Sequence, residues 1–163
     1  MTAREEMLAA LRRAAPRETP LPDLSRLGAR YADPAAQFAE ALKGVGGACM
    51  RAPDLAAAAR AVEELPAARA ARKVVSLVAG VGEGTVDLAA VQEPRALEGL
   101  DLAVLPGELA VAENGAVWLD AARLPHRALF VIAEHLVLVV PAAAVVNDLH
   151  EAYARIRFDG PGF

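Results

Sequence analysis

Ala112-Glu113-Asn114-Gly115-Ala116-Val117-Trp118-Leu119 sets an Asn-Gly pair between two apolar runs. Both central residues of a type I′ turn need φ > 0, which Asn and Gly adopt at least cost, so Asn-Gly is the strongest short-range hairpin signal. Leu109-Ala110-Val111 before the pair and Ala116-Val117-Trp118-Leu119 after it read as the two strands. This reading puts the Glu113 carboxylate at the lip of the turn. A glutamate there is either a hairpin corner, solvated or capping a neighbouring amide, or an acid displayed at the mouth of a site. Both remain open from sequence.

The elements around the hairpin set the fold class. Lys73 to Ala79 and Asp101 to Leu105 read as buried strands, the second closed by Pro106-Gly107. Downstream, Arg127 to Ala133 and Leu136 to Val140 read as two more strands. Pro141 is expected to open a final helix, with Val145 or Val146, Leu149, Tyr153 and Ile156 as its stripe. Upstream, Asp33-Pro34 is a helix start, Asp as N-cap and Pro at the first helical position. Phe38, Ala41 and Leu42 form its apolar stripe, and Gly44, Gly46 and Gly47 end it before a short strand, Ala48-Cys49-Met50. Asp54 caps a helix carrying Leu55, Ala59, Val62 and Leu65 on one face, with Pro66 after it. Helix and strand alternate early and strands dominate later. The expectation is an α/β fold, a mixed sheet flanked by helices with a parallel part and an antiparallel hairpin. Residues 33–163 form its single domain. Ahead of it, residues 1–32 hold an amphipathic helix with Met7, Leu8 and Leu11 on one face, then a connector marked by Pro16, Pro20 and Pro22. The connector, Arg17 to Tyr31, is expected to wrap the domain or a partner.

Composition narrows the function. A net charge of −4 and no basic tract argue against nucleic acid as the main partner. The single Cys49 excludes an internal disulfide and any Cys-ligated cluster or zinc finger built by this chain alone. It fits a reducing, cytoplasmic setting. The N-terminus mixes charges of both signs, unlike a signal peptide. The longest apolar run, Leu136 to Val146, is about half the ~20 residues of a membrane span and is interrupted by Pro141. A soluble protein is expected.

Ala112-Glu113-Asn114-Gly115-Ala116-Val117, His135-Leu136-Val137-Leu138-Val139-Val140-Pro141 and the Asn147-Asp148-Leu149-x-x-Ala152 helix, in that order, resemble the LUD-domain family, the lactate-utilisation protein C group. The resemblance runs over residues 34–157. Two departures stand out. The family commonly carries Thr or Ser at the position of Asn114. It also continues past the last helix into a Ser-Gly-Pro-Ser segment followed by Thr-Ala-Asp-Ile-Glu. Here the sequence reads Phe158-Asp159-Gly160-Pro161-Gly162-Phe163, so a site completed by that segment is expected to be missing. The resemblance implies a fold related to sugar-phosphate isomerases and CoA-transferases. It further implies a role beside iron–sulfur partner proteins that oxidise L-lactate to pyruvate, the clusters being on those partners and no cofactor on this chain.

Ala112-Glu113-Asn114-Gly115 also resembles the Ser-Glu-Asn-Gly motif of family I CoA-transferases, whose glutamate is a nucleophile. That makes Glu113 the candidate catalytic residue of an alternative reading: a CoA-transferase-like domain, or one that binds a small organic acid or sugar phosphate. Asn114 and Gly115 share the turn. His135, in the family-like stretch, is either a site residue reaching towards the hairpin or a satisfied strand-end histidine. Arg123 and Arg127, flanking Leu124-Pro125-His126, offer a guanidinium fork to a carboxylate such as lactate, or are ordinary surface residues. The loop Gly80-Val81-Gly82-Glu83-Gly84-Thr85 is one residue short of a dinucleotide fingerprint and more simply a flexible connection. His126, His135 and His150 show no paired metal-ligand spacing, so no metal is assigned. Cys49 reads as a core residue, and Trp118 as core or interface, with a homo-oligomer possible.

Overall fold

The structure is a computed structural model that describes residues 2–14 and 28–157. Most of the connector expected at residues 17–31 lies outside the described residues. Among the described residues, six α-helices and six strands follow in chain order: α1 (Ala3–Ala14), α2 (Pro34–Gly44), α3 (Leu55–Glu64), α4 (Pro66–Ala70), β1 (Val74–Ser76), β2 (Leu102–Pro106), β3 (Leu109–Val111), β4 (Val117–Trp118), α5 (Leu129–Ile132), β5 (His135–Val139), β6 (Val145–Val146) and α6 (Leu149–Arg155).

The α/β class holds, and the strands divide into two three-stranded sheets. The first, β1-β2-β5, is parallel throughout. Its central strand is buried on both faces, which is why it reads as an unbroken apolar run. Leu102 and Val104 enter a cluster with Val62, Val74 and Val81, while Ala103 and Leu105 enter another with Leu97, Leu100, Leu119 and Leu129. Each fully buried leucine contributes about 1.5–3 kcal/mol of apolar transfer. The second sheet, β4-β3-β6, carries the mixed pairing: β3 is antiparallel to β4 and parallel to β6. Leu109 and Val111 pack towards Ala152 of α6, and Ala110 and Ala112 towards Phe38 of α2. The chain passes between the sheets at Gly107, where a Cβ would stand 2.6 Å from Val140 Cγ2 and 2.7 Å from Val117 Cγ1. Any larger residue there would force these valine side chains to move.

Several expectations are corrected. Arg127 to Ala133 is a turn and the short helix α5 rather than a strand; a brief apolar run does not distinguish the two by periodicity. Ala48-Cys49-Met50 forms no strand and is exposed, so Cys49 is a surface thiol and not a core residue. Pro66 opens α4 at its first position rather than simply ending α3. Pro141 opens only a 3₁₀ turn (Ala142–Ala144), after which the β-branched pair Val145–Val146 joins the sheet. The final helix starts at Leu149, and its inward residues are Ala152 and Ile156, with Leu149 and Tyr153 exposed. Asp148 caps it, with Oδ1 accepting the Glu151 amide at 2.9 Å.

Candidate functional site

The hairpin forms at the residues the sequence indicates, but not through a type I′ turn. Gly115 has φ +73°, and no non-glycine residue among those described has positive φ. The loop is instead Ala112 to Gly115: the Val111 amide donates to Ala116 O at 2.8 Å, and the Gly115 amide to Val111 O at 2.9 Å. Four-residue hairpin loops of this kind need only one left-handed position. Asn114 Oδ1 accepts the Ala116 amide at 3.0 Å, so Asn114 serves the turn itself.

The tip is clamped on two sides. On one, the β3–β6 ladder continues past the strands, with the Ala112 amide on Val146 O at 2.9 Å and the Glu113 amide on Asn147 O at 3.0 Å. On the other, Gly115 packs against the backbone of α2 at Leu42. Glu113 is exposed, and its Oε2 accepts the Leu149 amide at the first turn of α6 at 3.3 Å. Beside it, Asn147 Oδ1 accepts the Tyr31 amide at 2.9 Å, and Glu151 accepts the Asn147 amide at 2.9 Å and forms an ion pair with Arg30. The Asn147 backbone bond, then its side-chain amide, hold the Glu151 carboxyl below its ordinary value. Asp148 is 4% exposed. The sequence signal for this cluster was available in Asp148-x-x-Glu151, a capping-box spacing, but the expected helix start at Pro141 obscured it.

The other end of the hairpin lines an open cleft of about 810 Å³, bordered by Glu108, Trp118, Asp120, Arg123, Arg155 and Ile156. Arg123 is held there by Glu108 at 2.7 Å and Asp120 at 3.4 Å. Arg127 lies elsewhere, exposed beside an apolar depression formed with Phe130, Val131 and Ile132. The two arginines therefore form no fork. His135 begins β5 level with Leu102, where β2 starts, whereas the Glu113 turn follows β3 beyond the other end of β2. The turn residues Glu113, Asn114 and Gly115 are thus brought together with α6, while His135, Arg123 and Arg127 occupy three other places.

The glycine loop folds back along β1. Thr85 and Val86 donate to Val74 O at 2.9 and 3.2 Å, Thr85 Oγ1 accepts the Val74 amide at 2.9 Å, and Ser76 Oγ donates to Val81 O at 2.6 Å. It covers the outer edge of the sheet. His126, His135 and His150 fall on a turn, β5 and α6, and among the described residues no three His, Cys, Asp or Glu side chains gather as a metal set. Among the described residues no helix is long and apolar enough to cross a membrane.

The fold is similar to that of a DUF162 family protein from Deinococcus radiodurans, known from a crystal structure at 1.70 Å resolution. The TM-score is 0.59 and the identity 22%, over 81% of this chain and 85% of that one. No family model matches the chain, and no curated protein matches it. The likeness establishes the fold.

Proposed function

We propose that this chain is a lactate-utilisation protein, the cluster-free subunit or accessory protein of an iron–sulfur-dependent L-lactate oxidation system. One observation carries the reading. The two stretches that resemble the lactate-utilisation family, Ala112 to Val117 and His135 to Pro141, meet in one apolar cluster. Val117 and Val140 both pack against Ala110, Ala112 and Phe38 there. A resemblance spread over distant positions thus corresponds to one packed unit. The iron–sulfur clusters belong to the partners, since one exposed cysteine cannot hold one. Helix α1 offers those partners an apolar face, with Met7 and Leu11 exposed. The test is co-expression with iron–sulfur lactate-oxidation proteins, followed by affinity capture and lactate-dependent dye reduction. A stable complex whose activity falls when this chain is left out is expected. Absence of both association and dependence would sink the reading.

A second reading rests on Glu113: an exposed carboxylate on a turn clamped by β6 and α2 suits binding or acyl transfer in a CoA-transferase-like domain. In acyl transfer a carboxylate oxygen attacks the thioester carbonyl, expels the CoA thiolate and leaves an acyl–glutamyl anhydride. The thiolate then attacks the glutamyl carbonyl, giving a glutamyl–CoA thioester and the free acid. A thermal-shift screen with acyl-CoA, L-lactate, pyruvate and sugar phosphates tests it, because a ligand of the native state raises the melting temperature.

A further inference from the structure

The outer edge of β5 is unpaired among the described residues. The His135 amide donates to Asp101 O at 2.9 Å and Val139 O accepts from Gly107 at 2.9 Å, so the odd-numbered residues of this strand face β2. The amides and carbonyls of Leu136 and Leu138 therefore point away from the sheet, and no hydrogen bond reaches them among the described residues. The devices that usually blunt such an edge, an internal Lys, a Pro or a bulge, are all missing from His135-Leu136-Val137-Leu138-Val139. On the side towards α5, Leu138 packs into the core while Leu136 is 40% exposed, and Val131 of α5 is 74% exposed. The other outer strand of this sheet, β1, is covered by Thr85 and Val86. The unpaired edge is thus confined to one side.

We infer that this edge binds a second copy of the chain, β5 pairing antiparallel with β5 about a two-fold axis at Val137. The strand is complementary to itself. The axis sets Leu136 opposite Leu138 of the other copy, twice. Both residues present outward N–H and C=O groups, as the hydrogen-bonded pairs of an antiparallel ladder require. The leucines meet on one face and Val137 meets its own copy on the other. The charge pattern agrees: Glu134 falls opposite Val140, and the two Glu134 carboxylates stand about 20 Å apart along the strands. The product is a closed, isologous six-stranded sheet rather than an open-ended assembly.

Light scattering on the purified chain after gel filtration tests this. The expected mass is twice the 17.0 kDa of one chain. Leu136→Pro removes an outward N–H without touching the β2 ladder, and Leu136→Lys places a charge on the edge. Both are expected to give monomers with unchanged circular dichroism. In the parent chain the Leu136 and Leu138 amides should exchange slowly, and in Leu136→Lys the Leu138 amide quickly. A parent chain that is monomeric at high concentration overturns the inference, as does a dimer that survives both substitutions. Pairing of the edge with a strand from a different protein, while the chain alone stays monomeric, overturns it too.

Discussion

The Leu149 amide donates to Glu113 Oε2 across 3.3 Å, so the acid at the hairpin tip rests on the first turn of α6. The bond is long and exposed, and Asp148 already caps the helix from its buried side. Glu113 therefore contributes little to folding. Glu113→Gln keeps an oxygen acceptor and loses only a screened charge near the helix start, an effect below about 1 kcal/mol. The melting temperature should stay close to that of the parent chain by scanning fluorimetry. If Glu113 serves a site, the same substitution abolishes the thermal shift given by the ligand. A large drop in melting temperature without ligand would instead make Glu113 a structural residue.

Cys49 is exposed, three residues beyond Gly46 in a segment with no regular structure. Ellman's reagent should therefore titrate one thiol per chain in native buffer, with no denaturant. A thiol that reacts only after unfolding would contradict its placement.

Cys49 also shows where sequence reading runs out. Ala48-Cys49-Met50 has the composition of a core strand, and nothing local says that no neighbouring strand is there to pair with it. The same weakness mislocated residues 127–133, where Leu129 is buried and Val131 exposed. Elements with strong local chemistry were legible: Asp33-Pro34 and Asp54 cap helices as expected, and β2 carries the two-faced burial of its apolar run. The Glu113 turn was legible as a hairpin, though its loop length was not, because Asn-Gly also suits a four-residue loop with one left-handed residue. The separation of His135 from the turn follows from parallel register, which no short motif encodes.

Acid should destabilise the protein through identifiable carboxylates. Asp101 Oδ2 accepts the amides of Lys73 and Arg72, each at 2.8 Å, joining the starts of β1 and β2. The Lys73 amide, then the Arg72 amide, hold its carboxyl below its ordinary value of 3.8. Asp33 is lowered in the same sense, chiefly by the Ala36 amide. A carboxylate whose pKa is lower folded than unfolded stabilises the fold above the unfolded value and loses that contribution as pH falls through the folded one. The melting temperature should therefore fall as the pH drops below about 4. Asp101→Asn should show a shallower fall than the parent chain. Because the main partners of Asp101 are amides rather than ion pairs, moderate salt should leave this difference in place.

Gly115 and Gly99 make a controlled comparison of backbone strain and steric contact. Their φ values are +73° and +72°, so alanine meets a left-handed conformational cost at either position. That cost is about 1–2 kcal/mol. The surroundings differ: nothing lies within 4 Å of a Cβ on Gly99, whereas one on Gly115 would stand 3.0 Å from Leu42 N and 3.1 Å from Leu42 Cα. Those are backbone atoms of α2, which cannot swing away as a side-chain end does. Gly115→Ala should therefore cost at least about 1 kcal/mol more than Gly99→Ala, an overpacking effect. For a domain of this size that is roughly 2–5 °C of additional melting-temperature loss. Equal losses in the two variants would show that α2 yields to the turn, and that the hairpin tip is not clamped from that side.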